Sequence, residues 1–236
     1  MDMIEVSRFV VKRFHAAEAM KTLRTNVMFS GPGIQSVALT SYAAAEGKST
    51  ISFQLAASMA QAGKKVVLLE ADLRKGVLAS RLKVRGGVKG LSHYLTGLMP
   101  MDELLYETDV NGFFIVFSGP KVFNASELLS SKRFTDLLAK LEDTFDYVIV
   151  DAPPLGQVID CAVIAPHLDG VFLLVDVNHN SYKLTRRIKT QLDKSGGKVL
   201  GVVLNNVNFN GKRSYYRKRY GYGYGYSYDY GYGDDD

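Results

Sequence analysis

Apolar residues along this chain fall into short, nearly unbroken runs separated by stretches with helical spacing. The runs are Ser36 to Thr40, Lys65 to Leu69, Phe113 to Phe117, Tyr147 to Val150, Val171 to Val175 and Val199 to Leu204. Segments such as Val66-Val67-Leu68-Leu69 lack polar alternation, which suits strands buried on both faces of a parallel sheet. Between them the spacing predicts a helix over Ala16 to Phe29, ended by Gly31-Pro32-Gly33, and another over Thr50 to Ala62, closed by Gly63. Two more are expected over Ser131 to Leu141 and Ser181 to Asp193, with Ser131 and Ser181 as N-caps. The alternation gives an α/β fold, doubly wound around a mostly parallel sheet.

In such sheets ligands bind beyond the carboxyl ends of the strands. Glu46-Gly47-Lys48-Ser49-Thr50 follows the first strand and opens a helix, the setting in which backbone N–H groups and a helix dipole hold phosphates. Lys48 would reach the β/γ phosphates and Ser49 would ligate Mg²⁺, with Ala44, Ala45, Glu46, Gly47 and Thr50 completing the P-loop. Tyr42 stands where a standard P-loop has its first glycine. Glu70 and Asp72 lie just past the second apolar run, and Asp151-Ala152-Pro153-Pro154 follows another. A single acid at a strand end is usually a solvated turn residue. Three of them behind a P-loop strand point instead to a Mg-nucleotide site of the P-loop NTPase fold, with Ser49, Asp72 and Asp151 around the metal. A spare carboxylate, Glu70 in the first instance or else Asp72, would accept a proton from an attacking hydroxyl.

Composition narrows the setting. A chain of 236 residues, 47% of them hydrophobic, can bury one substantial core. No apolar run approaches the roughly 18 residues that span a bilayer, and Met1 to Glu5 is not the start of a secretory leader, so a soluble, cytoplasmic protein is expected. The single cysteine, Cys161, excludes an internal disulfide, and four scattered histidines suggest no metal cluster. The net charge of +5 is matched by Lys212, Arg213, Arg217, Lys218 and Arg219 alone, a solvated basic run nearly offset by Asp229 and Asp234 to Asp236; no nucleic-acid partner is expected.

The C-terminus is the most unusual stretch. Tyr215, Tyr216, Tyr220, Tyr222, Tyr224, Tyr226, Tyr228, Tyr230 and Tyr232 are nine of the chain's 14 tyrosines, largely spaced by glycine. Such a comb buries too little apolar surface to offset the entropy of ordering it, so it reads as a mobile substrate for phosphorylation. Its roughly 30 residues would have an end-to-end distance of about 30 Å, enough to reach its own site or a neighbour's. The expected layout is an arm over 1–15, a P-loop domain over 16–210 and a tyrosine tail over 211–236.

With these motifs in place, the whole chain resembles the bacterial tyrosine kinases of capsular and exopolysaccharide biosynthesis, in their stand-alone cytoplasmic form. Lys48 and Ser49 match the family's P-loop, Asp72 and Arg74 its Asp-x-Asp-x-Arg motif, Asp151 to Pro154 its third motif, and the tail its autophosphorylated cluster. Glu18, Lys21 and Arg24 fall on its oligomerisation motif Glu-x-x-Arg-x-x-Arg. The resemblance implies an ATP- and Mg²⁺-dependent autokinase that assembles as a ring, one subunit's tail entering its neighbour's site. It also implies a separate transmembrane activator of the polysaccharide chain-length type, a cognate tyrosine phosphatase, and residence at the inner face of the plasma membrane through that partner. The arm, with Ile4, Val6, Phe9, Val10 and Val11, is a docking candidate or packs on its own domain. Three departures from the family pattern carry expectations: Glu70 for aspartate a lower rate, Ala44-Ala45 for Pro-Gly a stiffened or distorted anion nest, and Lys21 for arginine a lost bidentate contact across the ring interface. Two other classes use the same sheet. A positioning ATPase would carry an extra lysine at position 43, where this chain has alanine, and an adaptor would have its tail modified by another enzyme.

Overall fold

The computed structural model describes residues 3–84 and 86–207, so the tail tyrosines Tyr215 to Tyr232 lie outside the described residues. In chain order the elements are α1 (Phe14–Met28), β1 (Ser36–Ser41), α2 (Lys48–Gln61), β2 (Val66–Glu70), α3 (Leu78–Arg81), α4 (Leu91–Leu95), β3 (Tyr106–Glu107) and β4 (Phe113–Val116). They continue with α5 (Ala125–Leu129), α6 (Lys132–Thr144), β5 (Tyr147–Asp151), α7 (Asp160–Ile164), β6 (Gly170–Asp176), α8 (Tyr182–Ser195) and β7 (Val199–Asn205). The strands form one sheet in the order β3-β4-β2-β5-β1-β6-β7, parallel throughout except for the β3–β4 pair.

The uninterrupted apolar runs are explained by two cores, one on each face of the sheet. Along β2, Val67 and Leu69 join a cluster with Phe134, Leu137 and Leu141 of α6 and Ile188 of α8. Val66 and Leu68 point the other way, into a cluster with Val27 of α1 and Phe53, Leu55 and Met59 of α2. Successive strand residues face opposite layers, so every position is apolar and the fold is doubly wound, as the pattern predicts.

Helix ends depart from the sequence reading. The second helix begins at Lys48, two residues early, because Gly47 turns the chain through φ +94° directly into the first helical turn. Ser131 and Ser181 occupy the N-cap positions, but neither side chain caps its helix; Ser131 Oγ donates backward to Leu128 O at 2.6 Å. Four short helices (α3, α4, α5 and α7) and the two-residue antiparallel β3 carry too few residues to leave a periodic signal.

Residues 3–11 are fastened to the domain. Ile4 N donates to Glu107 O at 3.0 Å, Asp109 N donates to Ile4 O at 3.1 Å, and Val6 is completely buried. Gln54 of α2 accepts from Val11 N and donates to Phe9 O. Asp109 Oδ1 accepts from Val6 N at 2.6 Å and Ser7 N at 3.0 Å. Burial pushes this carboxyl up, but the donors of Ser7 and Val6 outweigh it and hold it below its ordinary value. A depressed carboxyl stabilises the fold above its unfolded pKa, and that contribution is lost as pH falls through the folded value. The arm is therefore expected to stay seated at neutral pH and to loosen only in acid, as pH falls below the ordinary carboxylate range. Asp109→Asn should mimic the acid state at pH 7, read as faster limited proteolysis within residues 3–11 with the domain intact.

Candidate active site

The site is assembled where β1, β2 and β5 end side by side. β1 lies between β5 and β6, and Glu70 and Asp151, the last residues of β2 and β5, are register partners. After β1 the chain passes through Tyr42 to Gly47 and enters α2. Ala45 holds φ +64° and Gly47 φ +94°, so the loop twice adopts left-handed backbone. Glycine does this freely, whereas alanine at Ala45 carries a cost of roughly 1 kcal/mol. Ala45→Gly is expected to raise stability by about that amount and to tighten nucleotide binding. Thermal melts with and without ADP check this.

Glu46 braces the loop from inside. Its Oε1 accepts from Ala43 N at 3.1 Å and from Asn180 Nδ2 at 2.9 Å, and its backbone carbonyl accepts from Asn205 Nδ2 at 2.9 Å. Glu46 thus fastens the loop to the ends of β6 and β7 through Oε1 and its carbonyl, while its Oε2 is buried without a partner.

Lys48 and Asp151 are buried, 7% and 1% exposed. The nearby Ser49 hydroxyl and the charge of Lys48 both favour the ionised form of Asp151. Burial nevertheless pushes the Asp151 carboxyl up to about 7, with Glu70 and Asp72 adding to the rise. Its Oδ1 is buried without a partner. A buried carboxylate oxygen with nothing to bond, beside a hydroxyl, supplies hard oxygen ligands that fit a divalent cation, while the nearby ammonium suits the phosphates such a cation accompanies. Among the described residues no three or more His, Cys, Asp or Glu side chains form a metal-holding group, so such an ion would draw its other ligands from water and phosphate.

The two acids of the second motif differ sharply. Glu70, 1% exposed, is fully engaged: Oε1 accepts from Val77 N at 2.6 Å and Leu78 N at 2.8 Å, and Oε2 from Ser118 N at 3.0 Å and Ser118 Oγ at 2.8 Å. Asp72 is half-buried, and only its Oδ1 is used, by Arg74 N and Lys75 N. Geometry thus turns the base expectation from Glu70 to Asp72: an incoming hydroxyl finds no open oxygen on Glu70.

Arg74 ties the edge together. Its Nε and Nη2 hold the two oxygens of buried Asp160 at 2.7 and 3.1 Å, Nη2 also meets Ser126 Oγ, and Nη1 meets Phe123 O. The bond to Asp160 raises the guanidinium's pKa, so the pair is ionic. One side chain thereby joins the loops after β2, β4 and β5.

Lys48, Ser49, Glu70, Asp72 and Asp151 are brought together here; Ala44, Ala45, Glu46, Gly47 and Thr50 form the loop around them. Glu18, Lys21 and Arg24 lie on α1. Lys21 Nζ pairs with Glu18 at 2.7 Å, and Arg24 Nη1 donates to Ser58 O at 2.9 Å. Sequence reading missed Asp160, Ser118, Asn180 and Asn205. The signal that could have found Ser118 and Asn205 is the one used for Asp151: a polar residue just past an apolar strand.

The family described as AAA domain matches residues 35–202. Tyrosine-protein kinase CpsD of Streptococcus agalactiae is 39% identical over 191 residues, 81% of this chain and 83% of that protein. Tyrosine-protein kinase wzc of Salmonella typhi is 32% identical over 194 residues, 81% of this chain but 27% of that much longer protein. Among solved structures, the kinase domain of Escherichia coli tyrosine kinase ETK superposes with a TM-score of 0.79 at 31% identity, covering 89% of this chain and 80% of that one. With a P-loop, two acidic strand ends and this degree of likeness over most of its length, the chain belongs to the bacterial tyrosine-protein kinase family and is a protein-tyrosine kinase.

Proposed function

We propose that the chain transfers the γ-phosphoryl group of ATP, with Mg²⁺, to tyrosines of its own C-terminal cluster, in trans between copies of an oligomer. The observation that carries this reading is the partnerless, buried Oδ1 of Asp151 beside Ser49 and Lys48. Ser49, Asp151 and Asp72 would hold the Mg²⁺, which when bound neutralises charge on the phosphates. The left-handed turns at Ala45 and Gly47 aim backbone N–H groups at the β-phosphate, and Lys48 steadies charge as ADP departs. Asp72, with one oxygen free of hydrogen bonds among the described residues, receives the phenol's proton. Glu46 and Arg74 keep the loops still, so that catalysis rests on positioning and charge.

The acceptors are Tyr215, Tyr216, Tyr220, Tyr222, Tyr224, Tyr226, Tyr228, Tyr230 and Tyr232. Nine phosphates would add about −14 to −18 to this segment, enough to repel it from a carboxylate-lined site and to loosen a ring. Glu18, Lys21 and Arg24 on α1 are the interface, although Arg24 already spends a donor on Ser58. The wzc protein carries far more chain around its matching segment, which supports a separate transmembrane partner supplying that part here. With Ile4 and Val6 committed to the core, docking of that activator falls to Met3 and Phe14, 59% and 72% exposed. A tyrosine phosphatase resets the tail, the setting is capsule or exopolysaccharide synthesis at the inner membrane face, and no nucleic acid takes part. No helix among the described residues is long and apolar enough to cross a membrane.

Labelled ATP and Mg²⁺ test this with the full chain. Label on peptides spanning Tyr215 to Tyr232 is expected; phosphate release without labelled protein would mark a positioning ATPase instead, and neither would mark an adaptor.

A further inference from the structure

The catalytic edge carries a cation that none of the sequence motifs supplies. Arg81 ends α3, and its Nη1 donates to Thr50 Oγ1 at 2.8 Å. Thr50 follows Ser49 in the first turn of α2, where a loop of this kind cradles the α- and β-phosphates. A guanidinium has five donors. This is the only hydrogen bond Arg81's makes among the described residues, and no carboxylate there pairs with it. It stands beside the phosphate loop with its charge uncompensated among the described residues.

The segment that delivers it is held firmly. Glu70 Oε1 accepts the backbone N–H groups of Val77 and Leu78 at the start of α3, while Oε2 anchors the same carboxylate to Ser118. Gly76 lies so close to that anchor that a Cβ there would fall 1.9 Å from Ser118 Oγ. Leu78 and Leu82 on either side of the turn are buried in the core. A buried carboxylate satisfied by four donors, fixing a four-residue helix whose last side chain reaches the P-loop helix, has the geometry of a support.

We infer that Arg81 is a second phosphate-binding cation of the nucleotide site, engaging the α- or β-phosphate beside Lys48, and that Glu70 is the positioning residue that holds α3 for it. This rests on the nucleotide reading above. Thr50 Oγ1 holds the guanidinium in readiness, and a phosphate, carrying full charge and matching its planar fork, displaces the hydroxyl.

The test measures dissociation constants of the full-length chain for ADP and for adenosine, by competition with a fluorescent ADP analogue. Arg81→Gln is expected to weaken ADP binding about tenfold, the loss of one partly screened charge-assisted contact. Adenosine affinity should not move, and Arg81→Lys should recover part of the ADP loss. Glu70→Asp, one methylene shorter, should weaken ADP binding without adding to the effect of Arg81→Gln, since a support and the group it supports are not independent. Unchanged ADP affinity in Arg81→Gln would overturn the inference while leaving the nucleotide site standing, as would an equal loss for adenosine or fully additive Glu70→Asp and Arg81→Gln effects. Failure of the unaltered chain to bind ADP would overturn both.

Discussion

Lys48→Met is expected to lower phosphotransfer to the tail by at least 100-fold while leaving a folded protein. The side chain is buried within charge range of Asp151, and methionine fills a similar volume without the ammonium. Removing a fixed donor aimed at developing charge typically costs about 10²–10³ in rate. Deleting one member of a buried ion pair often unfolds a protein, because the remaining charge is left uncompensated. Here the remaining group has an escape: Asp151, already pushed up to about 7 by burial, takes a proton when the lysine is lost. Circular dichroism, ADP binding and labelled phosphotransfer on one preparation separate the outcomes. A variant that folds, binds ADP and still labels its tail at the parental rate would remove Lys48 from the mechanism.

Asp151→Asn should behave in the opposite sense for stability. Without nucleotide or Mg²⁺ at pH 8, it is expected to be more stable than the parent by a few kcal/mol, yet to lose phosphotransfer by 100-fold or more. The orphaned Oδ1 is a penalty that the fold carries. The sign follows from the carboxyl's pKa, raised from 3.8 unfolded to about 7 folded. Between those values the native state holds a proton that the unfolded chain has released, so stability falls as pH rises through the window, and the penalty is complete above about 7. At roughly 1.4 kcal/mol per pKa unit the full effect is of order 4 kcal/mol. Asparagine does not titrate, so its advantage should be less than half as large at pH 5 as at pH 8. Urea unfolding at both pH values measures this; parallel curves for variant and parent would mean that no charge is stranded at Asp151.

What the sequence disclosed, and what it withheld, divides along the range of the interactions. The parallel strands and the P-loop were legible because each is local: an apolar run reports burial on two faces, and Gly47-Lys48-Ser49 sits directly between a strand and a helix. The positions of Asp151 and Asp72 at strand ends were legible by the same local logic. The hydrogen bonding of Glu70 was not legible, since its four donors come from Val77, Leu78 and Ser118, the last of them 48 residues away. Asp160 was missed because its partner Arg74 is 86 residues distant and only the fold joins them. Arg81 belongs to none of the sequence motifs, and nothing within the chain's own spacing announces that α3 brings it to Thr50. Glutamate in place of the family's aspartate at position 70 read as a weakened catalyst, whereas the extra methylene carries the carboxylate to backbone N–H groups.

The central position of the P-loop strand has a mechanical consequence. Because β5 lies between β2 and β1, Asp151 is in register with Glu70 on one side and Leu39 on the other, so the lateral spacing of the three strand ends is set by the sheet's own repeat of about 4.8 Å rather than by any loop. Fraying at the outer rails, β3 and β7, would have to propagate through whole neighbouring rungs before it disturbed that separation. Evolution is thus free to remodel the margins of this enzyme, its arm, its edge hairpin and its terminal extension, while the gauge of the reacting centre stays fixed.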